Sequence, residues 1–553
     1  MRNIYKITAV IAALAFTTGC KKYLDINSNP AVPQVVKAEI LLPPIEFQMC
    51  NGTAQDYERA VSKLTQNMSG VNTEDASLQW EKQGYIGGSD VSGVMWRMTY
   101  FDLGINLENL IKDAIANQKY EYAGIGYAIK AWAYQITTDA YGPIVLDEAF
   151  TPGQLTFHYN DQPYVYDKVR EWGNLSIKYL NMTSPVSSAS TLAAVGTGDG
   201  IYKGDKTKWK KFVYGLFALQ YGHLVNKPAY VTSYADSVIK YVGLSLANET
   251  EDASIYFTAS NFADANPMGV LNAPKLNSGW LSATGTQTTY YGRQTSTILN
   301  LLTGGVRGTA VANSITSVDP RLSRFLTAGT TASTTAVTYI GTTPTAGSAS
   351  PTVPVILGPL PSGGTYNGKY IFTDKARYPI MTYSQLQFAL AEALFIKNGK
   401  VGNTAAVTAY RNGISATFDF YNQYGRTQAT PDPAISATEI AAYMASSEVV
   451  QLATPTLLTM ADIMQQKYIA QWGWGGIETW CDLRKYHYDP TIFRTFVQPP
   501  TLALSSTNGG KMSYRLRPRY NSEYVWNSEE LAKFGGLLSN YNTQEMWFSL
   551  STP

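Results

Sequence analysis

Charged side chains are scarce in this chain. They make up 15% of its 553 residues, whereas soluble domains usually carry about 25%. Without residues 1–19, which have the features of an export signal, 41 basic side chains stand against 41 acidic ones. A chain with no net charge has no electrostatic basis for binding nucleic acid or an anionic lipid surface. The composition therefore argues against a nucleic-acid partner and favours a neutral ligand.

Cysteine is rarer still. Cys20, Cys50 and Cys481 are too few and too scattered for a disulfide framework or a thiolate zinc site. An unpaired, buried thiol is the commoner state for Cys50 and Cys481, and a single bridge between them stays open as the alternative. The sequence predicts neither a metal ion nor a cofactor.

Recognisable catalytic motifs are missing. The sequence has no H-E-x-x-H helix, no G-x-S-x-G elbow, no P-loop and no dinucleotide fingerprint, and its glycines at 196–200 and 473–476 lack the spacing of a phosphate loop. Two carboxylates that meet only in the fold, as a glycosidase needs, are not visible in a sequence. Asp147-Glu148 is a candidate pair, but an acidic pair after a strand is more often structural. We expect no catalytic residue and no enzymatic activity.

The N-terminus has the pattern of an exported protein. Residues 1–20 have a basic start, an apolar run and small residues directly before Cys20, a pattern typical of a secretory signal too short to span a bilayer permanently. The small residues favour a lipoprotein signal over cleavage near a chance cysteine, although Thr17 replaces the usual Leu. Cys20 would then be the lipidated N-terminus, with more than one acyl chain giving a stable anchor. Residues 21–51 are predicted as a tether followed by an apolar stretch.

Helical periodicity is what the chain has in abundance. Between residues 120 and 138, apolar side chains recur at spacings of three and four, which predicts an amphipathic helix. This stripe is formed by Tyr122, Ile125, Ile129, Trp132 and Ile136. Tyr-Gly-Pro at 141–143 should end the helix. Only a few polar residues separate it from a leucine-rich helical pattern at 97–117, so the two must fold back as an antiparallel pair on which further helices stack.

The remaining helical patterns define a scaffold. They lie around 53–69, 163–181, 207–226, 231–242, 382–397, 403–417, 436–446 and 457–472. We predict one domain over 20–553, with a helical scaffold at about 40–245 and 375–485. A ligand-binding region rich in loops and short strands is expected at about 246–374, where Thr, Ser, Gly and Ala dominate, together with the C-terminal segment 486–553.

Eight short phrases, in order, resemble the SusD/RagB-type family of nutrient-binding outer-membrane lipoproteins. They are YLDINSNP (23–30), Trp96 with Tyr100, TDAYGPIVLDEA (138–149), DGIYKGDKTKWKKF (199–212), DPRL (319–322), RYPIMTYSQLQFALAEAL (377–394), QKYIAQWGWGGIETWCDLRKY (466–486) and RLRPRYNSEYVWNSE (515–529). Together they span nearly the whole chain, and the form at 379–383 is similar to the divergent SusD-like branch. The chain departs from the family at 213–217 and 485–487. It also has Lys21 and Lys22 where an acidic cluster often directs these lipoproteins outward.

The resemblance implies a mainly α fold, a right-handed superhelix of tetratricopeptide-like helix pairs with an irregular, loop-rich region laid over it. It also implies a non-catalytic lipoprotein anchored in the outer membrane and facing the cell exterior. Such a protein captures a glycan or peptide and passes it to a SusC-like TonB-dependent transporter, over which it closes like a lid. Asp482 and Arg484 are expected to be a paired part of the family scaffold.

Binding of a neutral, hydroxylated ligand needs flat aromatic faces and side chains that hydrogen-bond hydroxyl groups. The loop 275–295 concentrates such residues outside the helical periods and holds the first candidates. The candidate ligand residues are Trp280, Tyr290, Tyr291 and Arg293, followed by Trp80 and Trp96. Trp132 and Trp209, on helices, are expected in the core. The alternative is a surface lipoprotein whose superhelix binds peptides or proteins, with these aromatics in its core or interface.

Overall fold

The computed structural model describes residues 36–70, 79–272, 292–308, 319–328, 339–345, 356, 368–428 and 430–552. Helices dominate this part of the chain. The α-helices are α1 (Ala38–Asp56), α2 (Ser62–Leu64), α3 (Val94–Arg97), α4 (Ile105–Ala116), α5 (Tyr120–Tyr141), α6 (Gln162–Asn181), α7 (Ala189–Leu192), α8 (Lys206–His223), α9 (Ala235–Leu244), α10 (Ser296–Asn300), α11 (Arg321–Phe325), α12 (Tyr383–Lys397), α13 (Thr404–Tyr424), α14 (Ala437–Met444), α15 (Met460–Gln471), α16 (Gly476–Lys485) and α17 (Ser528–Lys533). The mainly α class predicted from the sequence is confirmed.

The strands are short and pair across long stretches of sequence. They are β1 (Met68–Ser69), β2 (Ile144–Val145), β3 (Tyr159–Asn160), β4 (Ala253–Ile255), β5 (Arg293–Gln294) and β6 (Tyr378–Met381). They form three antiparallel two-stranded sheets, β1 with β5, β2 with β3 and β4 with β6. Two of these pairs, β1–β5 and β4–β6, tie the predicted loop-rich region to the helical scaffold.

Helix α5 is at the centre of the scaffold. All five side chains of its predicted stripe are buried, and it packs against α4 and α6. It ends at Gly142, whose φ of 83° lies in the region that glycine adopts without strain and precedes Pro143. The joint of three residues between α4 and α5 forces the antiparallel pairing predicted from the sequence.

Helix α1 is a difference from the prediction, which placed a tether and an apolar stretch over residues 21–51. The helix contains Pro43 and Pro44, each of which removes a backbone donor. Pro44 is exposed and Pro43 is half-buried, while Leu42 and Ile45 are buried. The Asp113 carboxylate accepts the Ala38 N–H at 2.9 Å and so satisfies a donor at the start of the helix. Burial of the apolar face outweighs the two missing hydrogen bonds.

The C-terminal helices α15 and α16 are buried along almost their whole length. The predicted pairing of Asp482 with Arg484 is wrong, because residues two apart on a helix face different directions. Asp482 instead lies 2.8 Å from the Nζ of Lys467 and 2.9 Å from that of Lys485. The Arg484 guanidinium packs over the Trp480 ring and donates to the Asp139 and Tyr514 carbonyls.

The cysteines and the helical tryptophans can be compared with their predicted states. Cys50 and Cys481 are both free and buried, and Trp132 and Trp209 lie in the core as predicted. Among the helices of the described ranges, none combines the length and the apolar character that crossing a membrane requires.

Candidate functional site

Several predicted functional residues fall where the structure gives no description. Trp280, Tyr290 and Tyr291 lie outside the described residues, and so does Cys20. Their roles as ligand contacts and as lipidation site therefore stay predictions.

Two other predicted residues, Trp80 and Arg293, lie in the same part of the fold. Arg293 lies on β5 opposite Ser69 of β1, and the next residue, Gly70, donates its N–H to Glu81, the neighbour of Trp80. Trp80 is 1% exposed and Arg293 9% exposed. As placed, neither offers an open face to a ligand.

Trp96, the remaining candidate, is 3% exposed. Its ring packs edge-on against Tyr141 at 5.3 Å between centroids and tilted against Tyr100 at 5.0 Å. Its indole Nε1 donates to Glu523 Oε1 at 3.2 Å, across most of the length of the chain. Trp96 is thus held on two sides, and its remaining edge belongs to the floor of a surface cleft.

This aromatic cleft has a volume of about 560 Å³. Its walls come from three distant segments, and five of its eleven lining residues are aromatic. It is lined by Trp96, Arg97, Tyr100, Phe101, Val145, Ala149, Phe150, Phe157, Arg519, Ser522 and Glu523. A volume of this size is within the range of small-molecule sites, and apolar walls with a few polar groups are typical of them.

The rim of the aromatic cleft is open. Phe101 is 69% exposed, and the Arg97 guanidinium lies over its ring at 5.3 Å from the centroid. Arg97 also pairs with Asp102 at 3.2 Å. Phe101 occupies the π-helical segment Met98–Gly104, which joins α3 to α4 and turns this ring outward while Met98 and Leu103 stay buried.

The C-terminal segment closes the other side of the aromatic cleft. Arg519 pairs with Asp90 at 2.9 Å, and its backbone packs so closely on Gly93 that a Cβ there would approach the Arg519 Cα to 2.8 Å. Only glycine at position 93 allows this approach. The start of α3 and the C-terminal segment are therefore fixed against each other.

Glu523 is the acidic group among the described lining residues, and it is fully engaged. Its carboxylate accepts the Trp96 indole N–H, the Tyr159 hydroxyl and the Asn527 amide. Burial, followed by the nearby Glu523 charge, raises the pKa of Tyr159 well above its usual range, so Tyr159 remains a donor. The Glu523 carboxylate therefore links the C-terminal segment to Trp96 and Tyr159, and its role is structural.

Beneath the floor lies Asp56, the last residue of α1. Its Oδ2 accepts the Met95 N–H at 2.6 Å and faces the Tyr141 hydroxyl at 3.4 Å. Burial raises the pKa of Asp56 to about 6, against the opposing effect of the Met95 and Val94 backbone groups. A buried acid therefore fixes the turn that presents the cleft aromatics.

The acidic pair Asp147-Glu148, considered above for catalysis, holds a surface turn. Glu148 accepts from the backbone N–H of His158 at 2.8 Å and contacts its ring Nδ1 at 2.7 Å. The hydrogen bond from the His158 backbone lowers the pKa of Glu148, which suits an ionised structural group and not a proton donor. The Asp147 carboxylate accepts hydrogen bonds from the Asn160 side-chain amide and from the Tyr164 hydroxyl.

Most residues of the aromatic cleft are not predicted by the sequence. Phe101, Phe150 and Phe157 are ordinary core formers by composition, and Arg519 lies far from them in the sequence. One local signal is the pair Trp96 and Tyr100, which is among the phrases that resemble the SusD/RagB-type family. Phe101 stands beside Tyr100, outside the apolar stripe that continues through Leu103, Leu107 and Leu110, and that offset is the sign of an outward ring.

Solved structures show the same fold over nearly the whole chain. A SusD/RagB family protein from Bacteroides thetaiotaomicron VPI-5482 has a TM-score of 0.64 at 19% identity, with 94% of this chain and 100% of that chain covered. A SusD homologue from Bacteroides fragilis NCTC 9343 has a TM-score of 0.66 at 18% identity, covering 94% and 100%. A structure named as a chitin-binding protein has a TM-score of 0.66 at 19% identity, covering 92% and 99%.

No curated protein sequence matches this chain. A SusD-like family, described as "Starch-binding associating with outer membrane", matches residues 30–517. The proteins of this family are non-catalytic binding proteins. The match spans most of the chain, agrees with the fold and confirms the resemblance seen in the sequence: the chain belongs to the SusD-like family of the outer membrane.

Proposed function

We propose that this protein is a glycan-binding lipoprotein of the cell surface that captures an oligo- or polysaccharide for uptake. The observation that carries the proposal is the aromatic cleft, in which an exposed Phe101 ring stands beside the Arg97 guanidinium and Arg519 lines another wall. Aromatic faces stack on the apolar face of a sugar ring, and guanidinium groups donate to its hydroxyls. A chain without net charge suits a neutral glycan.

The glycan classes to be tested first come from the comparisons. The family description names starch, and one similar structure is named as a chitin-binding protein. Both are neutral polymers, as the balanced charge of this chain favours. The selection between them rests on the shape of the cleft and of the loop 275–295, where Trp280, Tyr290 and Tyr291 remain proposed stacking residues.

Titration calorimetry of the purified protein with starch-derived and chitin-derived oligosaccharides tests the proposal. We expect one class to bind and to be recovered at unchanged length. Phe101→Ala should weaken that binding about two- to tenfold, the loss of one stacking face. Tyr256→Ala is the matched control, because Tyr256 is an aromatic residue 58% exposed outside the cleft lining. Equal affinities of the parent and Phe101→Ala would remove the cleft from the binding site.

A peptide or protein ligand is the second candidate. The exposed Val525 and Trp526 come two and three residues after the cleft residue Glu523, and an exposed apolar pair near an aromatic cleft suits a peptide side chain. Binding of an unstructured peptide pool, with no response to either glycan class, would favour this function.

The place of action in this proposal is the outer membrane, with Cys20 lipidated and a SusC-like TonB-dependent transporter as partner. Changing Cys20 to Ala should move the protein from the membrane to soluble fractions. Retention of this variant in the membrane fraction would contradict anchoring through Cys20. Co-purification of the parent with a TonB-dependent transporter from the same membranes would support the partner.

A further inference from the structure

Three helices that are distant in sequence meet at a buried polar cluster. Asp139 lies near the end of α5, His223 is the last residue of α8, and Cys481 lies in the middle of α16. One ligand atom from each lies within 4.8 Å of the other two, and all three residues are buried. This cluster plays no part in the aromatic cleft.

Further polar groups surround the cluster. The His223 Nε2 lies 3.1 Å from Glu478 Oε2, and its Nδ1 lies 3.6 Å from Asp139 Oδ2. Gln135 and the Tyr166 hydroxyl donate to the two Asp139 oxygens at 2.7 and 2.6 Å. Such second-layer donors orient a carboxylate ligand.

A thiol, an imidazole and a carboxylate also make up a cysteine-nucleophile triad. That interpretation fails here because Cys481 is completely buried and its Sγ faces the Arg484 guanidinium at 3.2 Å. No substrate carbonyl can reach the sulfur. The three side chains can therefore bind only a small species such as an ion.

We propose that Asp139, His223 and Cys481 bind a single zinc ion, with His223 coordinating through Nδ1, the ring nitrogen that faces Asp139, and a water molecule in the fourth position. Thiolate, imidazole and carboxylate are the ligands that Zn²⁺ takes in tetrahedral sites, at about 2.0–2.3 Å. Bonds of that length place neighbouring ligand atoms about 3.3–3.8 Å apart. The ligand atoms lie within 4.8 Å of one another and would draw together by up to about 1–1.5 Å, and Cys481 releases its thiol proton on binding.

Glu478 holds the second nitrogen of the His223 ring, since the His223 Nε2 lies 3.1 Å from Glu478 Oε2. A metal-bound imidazole usually donates its other N–H to a carboxylate, which fixes the orientation of the ring. Glu478 also lines a cavity of about 60 Å³ together with Gln135, Ile136 and Trp474. A cavity of this size holds a few water molecules, and it gives an ion a route to the otherwise closed cluster.

Zinc at this point would join the N-terminal, middle and C-terminal parts of the scaffold. The ligands come from α5, α8 and α16, so the ion acts as a cross-link between helices and not as a catalyst. All three ligands are buried, so no substrate reaches the ion.

Metal analysis of the purified full-length chain tests the proposal. We expect about one zinc per chain by elemental mass spectrometry. After removal of metal with a chelator, added Co²⁺ should give the thiolate-to-metal absorption that marks a sulfur ligand, and added Zn²⁺ should raise the melting temperature. These spectra use the parent protein, so the result does not depend on the folding of a variant.

Cys50 provides the matched control, because it is a second buried, free cysteine. Cys481→Ser should lose the cobalt absorption and most of the bound zinc, whereas Cys50→Ser should keep both. A parent protein that binds no zinc above trace level and gives no cobalt–thiolate absorption would overturn the proposal. So would equal zinc content in Cys481→Ser and the parent.

Discussion

Two groups of aromatic residues in this molecule have similar composition and opposite roles. In the first, Phe325, Tyr370 and Trp472 stack with nearly parallel rings, 4.0 Å apart between the Phe325 and Tyr370 centroids, and all three are buried. In the second, the aromatic cleft, Phe101 has one face beside Arg97 and is otherwise open.

The difference lies in what covers each ring. In the buried stack the neighbours of a ring are other rings, and the Trp472 Nε1 is satisfied by the Asn67 carbonyl at 3.0 Å. In the cleft, Trp96 is held by Glu523 from a distant segment, and this support leaves the neighbouring Phe101 free. We infer from this comparison that an aromatic ring is available to a ligand only where the rings next to it are held by other groups. Here Glu523 holds Trp96, and the Phe101 ring stays exposed.

The largest expected effect is on the buried stack. Trp472→Ala should lower the free energy of unfolding by about 3–5 kcal/mol, because it removes a fully buried ring and leaves a cavity. Urea unfolding followed by circular dichroism measures this. Trp526→Ala, at an exposed position, is the control and should change stability by less than about 0.5 kcal/mol. Equal stability of the two variants would contradict the division into core and surface rings.

The second prediction concerns the acid below the cleft floor. The pKa of Asp56 is about 6 in the folded protein, above the usual 3.8. Between these values the folded state keeps a proton that the unfolded state has released. Asp56 therefore supports folding fully below pH 3.8, and by pH 7 about 3 kcal/mol of that support is lost.

Asp56→Asn should remove this pH dependence, because its amide oxygen still accepts the Met95 N–H. The measurement is the difference in unfolding free energy between the parent and the variant from about pH 4 to 7. We expect the variant to gain relative to the parent as the pH rises. A difference that stays constant over this range would contradict the raised pKa and would place Asp56 in contact with water.

The third prediction sets the loop 275–295 against the aromatic cleft. Trp280→Ala and Tyr291→Ala should each weaken binding of the parent's glycan about two- to tenfold through loss of a stacking face. Melting temperatures should stay unchanged. Calorimetry alongside Phe101→Ala tests both surfaces with one ligand. If affinity held while the melting temperature fell, Trp280 and Tyr291 would belong to the core and binding would rest on the cleft.

The smallest effect on stability is expected at the rim. Arg97→Met removes an exposed ion pair with Asp102 and should change the free energy of unfolding by no more than about 0.5 kcal/mol. It should still weaken glycan binding, because a donor to sugar hydroxyls is lost. Thermal melting and calorimetry on one preparation measure both. A large fall in stability would mean that Arg97 is part of the scaffold and not of the binding rim.

Helix periodicity carried most of the fold prediction. The stripe from Tyr122 to Ile136 is buried because spacing alone decides which side of a helix faces a neighbour. The helical pattern at 436–446 corresponds to α14, which begins with a capping box formed by Ser436 and Glu439. Helix α1 was missed because local rules place Pro43 and Pro44 outside helices, and only burial of its apolar side overrides them.

The aromatic cleft was harder to predict for a different reason. Its lining comes from residues near 96–101, 145–157 and 519–523, and no local pattern links Trp96 to Glu523. The proposed zinc site is also assembled from distant segments, since Asp139, His223 and Cys481 meet only when α5, α8 and α16 pack together. Sites assembled from distant segments depend on tertiary packing, which a single sequence does not display.

The hydrogen bonds from Trp96 and Tyr159 to Glu523 have a consequence for the order of assembly. The N-terminal helices contain the ring-bearing part of the cleft and are synthesised first, but the cleft has no second wall until residues 519–523 dock. If the cleft binds the ligand as proposed, capture begins only after residues 519–523 have been synthesised and docked. A chain cut short before Arg519 should then lose binding, which would make binding a measure of the integrity of the C-terminal segment.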